Sequence, residues 1–374
     1  MKILFVARGY PKPENKMLGL FERDQALAMK KLGHDVAYAV LDMRSIRRKR
    51  KLGYVHYCDS GIPVYEMNIP LGNVPLQWIA FFEKIAIKKL FTHIREDWGV
   101  PDVTHVHFYK MAVGIWSFFK KEGFPIVLTE HASVVARGQL SQREKVLLGR
   151  TYKGVDTVIS VSNSLAKLIY EYYKVHPIVI PNMLTFENKI ERAGENTRFR
   201  FVSSANLIKI KGIDILLEAF SKMVEKCENT ELVIYGDGPE RKNLECQIEK
   251  LNLKNNVILY GRYERSILPR EYAKADAFVL PSRAETFGVV YIEAMYCGLP
   301  VIATRCGGPE DFVTNQVGIL VPNEDCNALS DAMLRMVETV KDYDRNYISE
   351  YVDRMFSPEQ VALRIEGVYR KIVE

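Results

Sequence analysis

The densest chemistry in the sequence lies between Leu280 and Pro300, where Glu285 and Glu293 stand with seven residues between them around Phe287-Gly288-Val289. The apolar run 277–280 reads as a buried strand that ends at Pro281. Gly288 then opens a short helix, and Gly298 closes it. The first amides of a helix have no partner within it, so the N–H groups of Thr286 to Val289 form a seat for a phosphate. Glu285 falls in the loop beside that seat and Glu293 inside the helix. Paired carboxylates also suit a glycosidase, one as acid and one as nucleophile. A phosphate seat between them fits a nucleotide-linked donor and has no use in glycoside hydrolysis.

Other polar groups fall at other strand ends. Lys211 sits at a helix start after the strand 199–204, an unfavourable place beside the positive end of a helix dipole unless an anion is near. Tyr235-Gly236-Asp237-Gly238-Pro239 closes a strand and opens a helix, but the third glycine of a dinucleotide fingerprint is missing. Thr129-Glu130-His131 follows another strand. His105 and His107 share one face of a strand. A metal site there would need a third ligand, and none is evident, so no metal is expected.

The elements that must position these groups alternate along the chain. Strands are predicted over 2–7, 35–41, 103–108, 126–129, 157–161 and 178–180, with helices over 21–32, 76–96 and 164–173 between them. Residues 183–198 are polar and aperiodic and read as a linker. The alternation restarts with strands over 199–204, 231–236, 257–260, 277–280 and 300–304. Helices are predicted over 213–224, 240–251, 269–275, 288–296 and 327–339. Apolar strands interleaved with helices imply parallel sheets covered on both faces. The fold class is therefore α/β, with two doubly wound, Rossmann-like domains, 1–182 and 199–356, facing each other across a hinge. Residues 357–374 form a last helix free to cross back to the first domain. A length of 374 residues suits two domains.

The Glu285–Glu293 segment resembles the hallmark of the retaining GT-B glycosyltransferases of family 4. Several further segments carry the same resemblance. Ala205-Asn206 through Lys211-Gly212 is similar to the family's Gly-Arg-Leu…Lys-Gly stretch, with Asn206 where the family has Arg and Lys209 as a conceivable substitute. The Gly236-Asp237-Gly238-Pro239 turn, Gly307-Gly308-Pro309-Glu310 and Gly318 through Pro322 match its remaining punctuation. Within 1–182, Gly19, Gly33-His34-Asp35-Val36 and Ile180-Pro181-Asn182 match in outline. The resemblance implies roles by position. Glu285 binds donor-sugar hydroxyls, and Glu293 binds the ribose. The backbone of Phe287, Gly288 and Val289 holds the diphosphate or sugar, and Lys211 neutralises the leaving diphosphate. His131 faces the reacting centre, Gly19 and Gly236 lie in donor loops, and the base contacts backbone near Val257 and Arg262. The family needs no metal and no cofactor beyond the nucleotide-sugar. A nucleotide-sugar 2-epimerase of the same fold, or a non-catalytic nucleotide-sugar binder, are the alternatives.

The acceptor side is read from charge. Residues 1–182 hold 27 Lys and Arg against 16 Asp and Glu, a balance of +11, whereas the remainder holds 25 against 30. A basic half calls for an anionic partner. Residues 44–51 place six cations in eight positions, and residues 78–91 mix aromatics with lysines at helical spacing. Together they suit an anionic membrane surface and a saccharide or lipid-linked saccharide acceptor. No RNA-binding motif accompanies the basic run, so no nucleic-acid partner is expected. The short apolar start is too short for a signal peptide, no run has membrane-spanning length, and the six cysteines form no C-x-x-C pair. These features point to a cytoplasmic protein that is peripheral on a membrane at most.

Overall fold

Continuous apolar runs become buried strands, because a parallel sheet covered on both faces has no solvent side to satisfy. The computed structural model describes residues 1–13, 15, 17–48, 50–184, 186, 190, 194 and 196–374. Two units form: Met1–Met183 with Pro358–Glu374, and Leu184–Ser357.

In the first unit the strands are β1 (Lys2–Ala7), β2 (Asp35–Asp42), β3 (Gly53–Asp59), β4 (Ile62–Asn68), β5 (Val103–His107), β6 (Ile126–Glu130), β7 (Thr157–Ser160) and β8 (Ile178–Val179). Among the described residues they form one sheet in the order β3-β4-β2-β1-β5-β6-β7-β8. Every pairing is parallel except β3 with β4. That hairpin was not anticipated from the sequence. Its turn, Ser60-Gly61, has positive φ at both residues (52° and 73°), the backbone of a tight hairpin turn between right-twisted strands. Helix Gln142–Gly154 was also unanticipated, although Ser141 and Glu144 form a capping box at its start.

The helix Pro358–Val373 completes this unit. Val361, Ala362, Ile365, Val368 and Tyr369 are buried in the same apolar cluster as Ile3, Phe5 and Tyr38. An apolar stripe at i, i+4, i+7 and i+8 is what puts one helix face there.

The second unit carries β9 (Phe199–Ser204), β10 (Thr230–Tyr235), β11 (Val257–Gly261), β12 (Ala277–Leu280), β13 (Val301–Thr304) and β14 (Gly318–Val321). They run in the order β11-β10-β9-β12-β13-β14, all parallel. Strand order reverses at β1 in the first unit and at β9 in the second. Such switch points open a crevice at the carboxyl ends of the strands, where ligands of open α/β sheets bind. Of the linker expected over 183–198, residues 185, 187–189, 191–193 and 195 lie outside the described set, as does Lys49 of the basic run.

Shortening a core side chain of the last helix should loosen the first unit selectively. Ile365→Ala is expected to remove about 2–5 kcal/mol from the unfolding transition of that unit. Denaturant unfolding that moved both units equally, or neither, would contradict this packing.

Candidate active site

The loops leaving β9 and β12 are forced together by their glycines. Gly212 has φ 68°, and a Cβ there would stand 1.9 Å from the carbonyl oxygen of Pro281, so only glycine fits. This approach lays Lys211 beside Glu285. The Lys211 ammonium donates to Glu285 Oε1 at 2.6 Å, and the Ser282 hydroxyl donates to the same oxygen at 2.8 Å. The main chain of Glu285 is held in turn: its N–H donates to the Cys306 carbonyl and its carbonyl accepts from Gly308 N–H.

Gly288 follows, with φ 97°, as the N-cap of helix Val289–Tyr296. Among the described residues the amides of Gly288, Val289 and Val290 donate to no backbone carbonyl. The Phe287 ring is buried against Phe312 and Phe356, so only its backbone is offered to the crevice. Glu293 lies inside the helix, 1% exposed, in an ion pair with Arg265. A third acid, Asp214, accepts from Arg283 and Lys209. Burial would raise its pKa, but the two cations outweigh burial and hold it down at about 2.

In the first unit a row of imidazoles lies at the carboxyl ends of β5 and β6. Tyr369 bonds to His105 Nδ1, and His105 Nε2 bonds to Thr129 Oγ1 at 2.6 Å. His107 Nδ1 meets His131 Nε2 at 3.1 Å. Phe108, next to them, holds a positive φ of 65°, and its ring lies 5.0 Å from that of His131. Burial pushes His131 down to about 4 and His105 to about 3, and drives His107 well below its usual value. All three are neutral at neutral pH. Glu130 accepts N–H groups from Tyr109, His131 and Ala132 and the Tyr152 hydroxyl, and burial lifts its pKa to about 7.

Two family models tile the chain: glycosyl transferases group 1 over residues 185–353 and Glycosyltransferase Family 4 over residues 23–187. The chain belongs to the family 4 glycosyltransferases. It is 28% identical to the phosphatidylinositol N-acetylglucosaminyltransferase gpi3 subunit of Schizosaccharomyces pombe, over 97% of this chain and 79% of that protein. Its fold is GT-B. A sucrose-phosphate synthase from Thermosynechococcus elongatus superposes with a TM-score of 0.80 at 21% identity, over 99% of this chain and 98% of the other. Anabaena HepE, solved in complex with UDP, superposes at 0.75 and 19% identity, over 99% and 100% of the two chains.

The glycosyltransferase gathers some of the residues expected from its sequence and separates others. Lys211, Glu285 and the Phe287-Gly288-Val289 backbone come together. Gly236 packs against the Ala205 carbonyl, beside an exposed Asn206. Lys209, the conceivable substitute for the missing arginine, forms an ion pair with Asp214 at 2.6 Å. Arg262 follows β11 and bonds Asp237 at 3.2 Å. Val257 departs from expectation. It is the first residue of β11 and is buried, about 13 Å of strand away from the carboxyl edge that carries the rest. Gly19 packs its backbone on Gly9 at the start of helix Leu20–Lys31.

Sequence reasoning also missed partners. Arg283 ties the β12 loop to Asp214, to Glu324 and to the carbonyl of Lys209, and Arg265 reaches Glu293. Arg283 sat within the stretch already singled out, whereas Arg265 had no local signal. Among the described residues no cluster of three His, Cys, Asp or Glu is placed to hold a metal ion.

The imidazole row makes stability depend on pH. Unfolded histidines protonate near 6.5. The unfolded chain therefore binds more protons between about 6.5 and about 4, and this contribution is lost as pH falls through that window. Glu130, raised to about 7, acts in the opposite sense, so the readout is a difference between proteins. His131→Gln is expected to flatten the fall in melting temperature from pH about 7 to about 4.5 relative to the parent. Parallel curves would show that His131 is not held neutral.

Proposed function

We propose that this enzyme transfers a hexose or N-acetylhexosamine from a nucleotide-sugar to a saccharide or lipid-linked saccharide, with retention of configuration, in the assembly of a surface polysaccharide. The Lys211–Glu285 pair beside the open helix start at Gly288 carries the reading. In the free enzyme the two charges satisfy each other. An arriving diphosphate competes for Lys211 and for the amides of Gly288 and Val289, which releases Glu285 to accept hydroxyls of the donor sugar. As the glycosidic oxygen departs, negative charge grows on the diphosphate, and fixed amides with an ammonium stabilise it there. The acceptor hydroxyl attacks the anomeric carbon on the face the leaving group vacates and passes its proton to the departing diphosphate oxygen. His131 enters as a neutral imidazole, able to supply a hydrogen bond and no charge. The reading needs no metal. A uridine nucleotide is favoured as donor carrier by the UDP bound in HepE, and an N-acetylhexosamine by the name of the yeast relative.

The acceptor end is assigned to an anionic membrane surface. No helix among the described residues is long and apolar enough to cross a membrane. Helix Leu76–Asp97 nevertheless exposes Trp78 (56%), Phe81 (54%) and Ile85 (51%) next to exposed Lys84, Lys88 and Lys89. That mixture suits the interfacial layer of a bilayer, on the cytoplasmic side where anionic lipid is found.

Two measurements test these points. Lys211→Ala and Glu285→Ala should fold normally and lower transfer by about 10²–10³-fold. Lys211→Ala should also weaken UDP binding by calorimetry, and unchanged transfer in either variant would remove the assignment. Replacing Trp78 and Phe81 together by Ser should abolish flotation with anionic vesicles, and a parent enzyme that stays in the soluble fraction would end the membrane reading.

A further inference from the structure

A second polar site lies wholly within the first unit. At the carboxyl ends of β1, β2 and β4 there is a cavity of about 230 Å³. Among the described residues Lys12, Arg44, Arg47, Arg48 and Arg50 line it, against Asp42 and Glu66 as acids.

The acids lie at the bottom, 3% and 1% exposed, and each is committed. Asp42 Oδ2 accepts Arg44 at 2.7 Å and stands 3.0 Å from Arg50 Nε as an ion pair without hydrogen-bond geometry. Glu66 accepts Lys12 at 2.7 Å, Tyr57 at 2.8 Å and Asn68 at 3.2 Å. Arg50 is the structural member of the set. Its side chain is 3% exposed, and it donates to the carbonyls of Ser45, Arg44 and Arg48, so the loop after β2 wraps around it. The basic run is thus not one outward-facing patch, since Arg44 and Arg50 turn inward to Asp42.

The wrapped loop presents Arg47 and Arg48 at the rim. Both are exposed, and among the described residues neither side chain has an ion-pair partner. Cations crowded around one cavity repel each other unless an anion enters, and two buried acids already serve the other three. Guanidinium forks match the oxygens of a phosphate group better than a point charge does. The strands β2, β1, β5 and β6 are successive neighbours, so this cavity lies on the same sheet edge as His131, about 14 Å away by strand spacing.

We propose that this pocket binds a phosphate group carried by the acceptor, with Arg47 and Arg48 as the residues that select for it. The proposal rests on the transferase reading for the word acceptor. The phosphate recognition itself does not depend on that reading. The phosphate belongs either to a soluble phosphorylated saccharide or to a lipid that carries the saccharide.

The test uses the full chain saturated with UDP, so that the helix start at Gly288 is occupied, and titrates inorganic phosphate by calorimetry. Arg47→Ala/Arg48→Ala should bind phosphate at least about tenfold more weakly than the parent, a loss of about 1.4 kcal/mol. Both proteins should bind UDP alike. Equal phosphate affinity in the two proteins, or no phosphate binding by the UDP-saturated parent, overturns the proposal. Failure of UDP to bind, with phosphate binding still lost in the variant, removes the nucleotide-sugar reading and leaves the pocket standing. Glucose 1-phosphate and dihexanoyl phosphatidic acid, titrated the same way, then assign the source: the one whose affinity falls further in the variant is the class the pocket serves.

Discussion

The contact of Gly212 with the carbonyl of Pro281 is the constraint on which the candidate site of the second unit turns. Two parallel strands lie about 4.8 Å apart, but the loops leaving them need not meet. Here they meet because β9 and β12 are neighbours at the point where strand order reverses, and because a residue without Cβ stands at their crossing. Lys211 and Glu285 are 74 residues apart in sequence, and this crossing makes them partners. Arg283 locks the same crossing from outside, through Asp214 on one side and Glu324 on the other. The chemistry of the unit is therefore a consequence of topology and one close backbone approach, and it does not depend on any single strong bond.

The first unit solves a different problem with the same sheet edge. Its imidazoles are buried in a row and kept uncharged, and Tyr369 of the last helix bonds the innermost of them. That bond couples the last helix to the sheet edge beyond its apolar packing. The last helix, whose Tyr369 lies 264 residues from His105 in sequence, thereby helps fix the orientation of His105, and through the stacked ring of His107 the surroundings of His131.

Much of this was legible in the sequence, for definable reasons. Buried parallel strands announce themselves as short apolar runs, and β9, β12 and helix Ile213–Val224 start and stop where the pattern does. The helix start at Gly288 was legible because a glycine after a buried strand is a local signal. The β3–β4 hairpin was not, since its exposed strand alternates weakly and its turn signal is the modest Asp59-Ser60-Gly61. Val257 was misplaced even though its strand was legible: in a parallel sheet the first residue of a strand lies at the amino edge, away from the edge where ligands bind. The pairings of Arg44 and Arg50 were hidden because a charge run looks solvated until the buried acid beneath it is known. Arg265 had the same difficulty, as its partner Glu293 lies 28 residues on and inside a helix.

On the proposed readings the two units handle anions by opposite means. In the catalytic unit each acid named at the crevice already has a cation: Glu285 has Lys211, Glu293 has Arg265, Asp214 has Arg283 and Asp237 has Arg262. On the proposed reading a diphosphate arriving there exchanges one ion pair for another, so net attraction comes mainly from the amides at Gly288 and Val289, which among the described residues donate to no backbone carbonyl and whose direction is fixed by the helix. In the proposed pocket of the first unit the cations outnumber the acids, and among the described residues Arg47 and Arg48 have no ion pair to break. The first arrangement discriminates by geometry and stays neutral when empty. The second attracts by standing charge, and being exposed it is screened by salt. The charge imbalance of the sequence, basic in the first half and slightly acidic in the second, is the composition-level trace of that division.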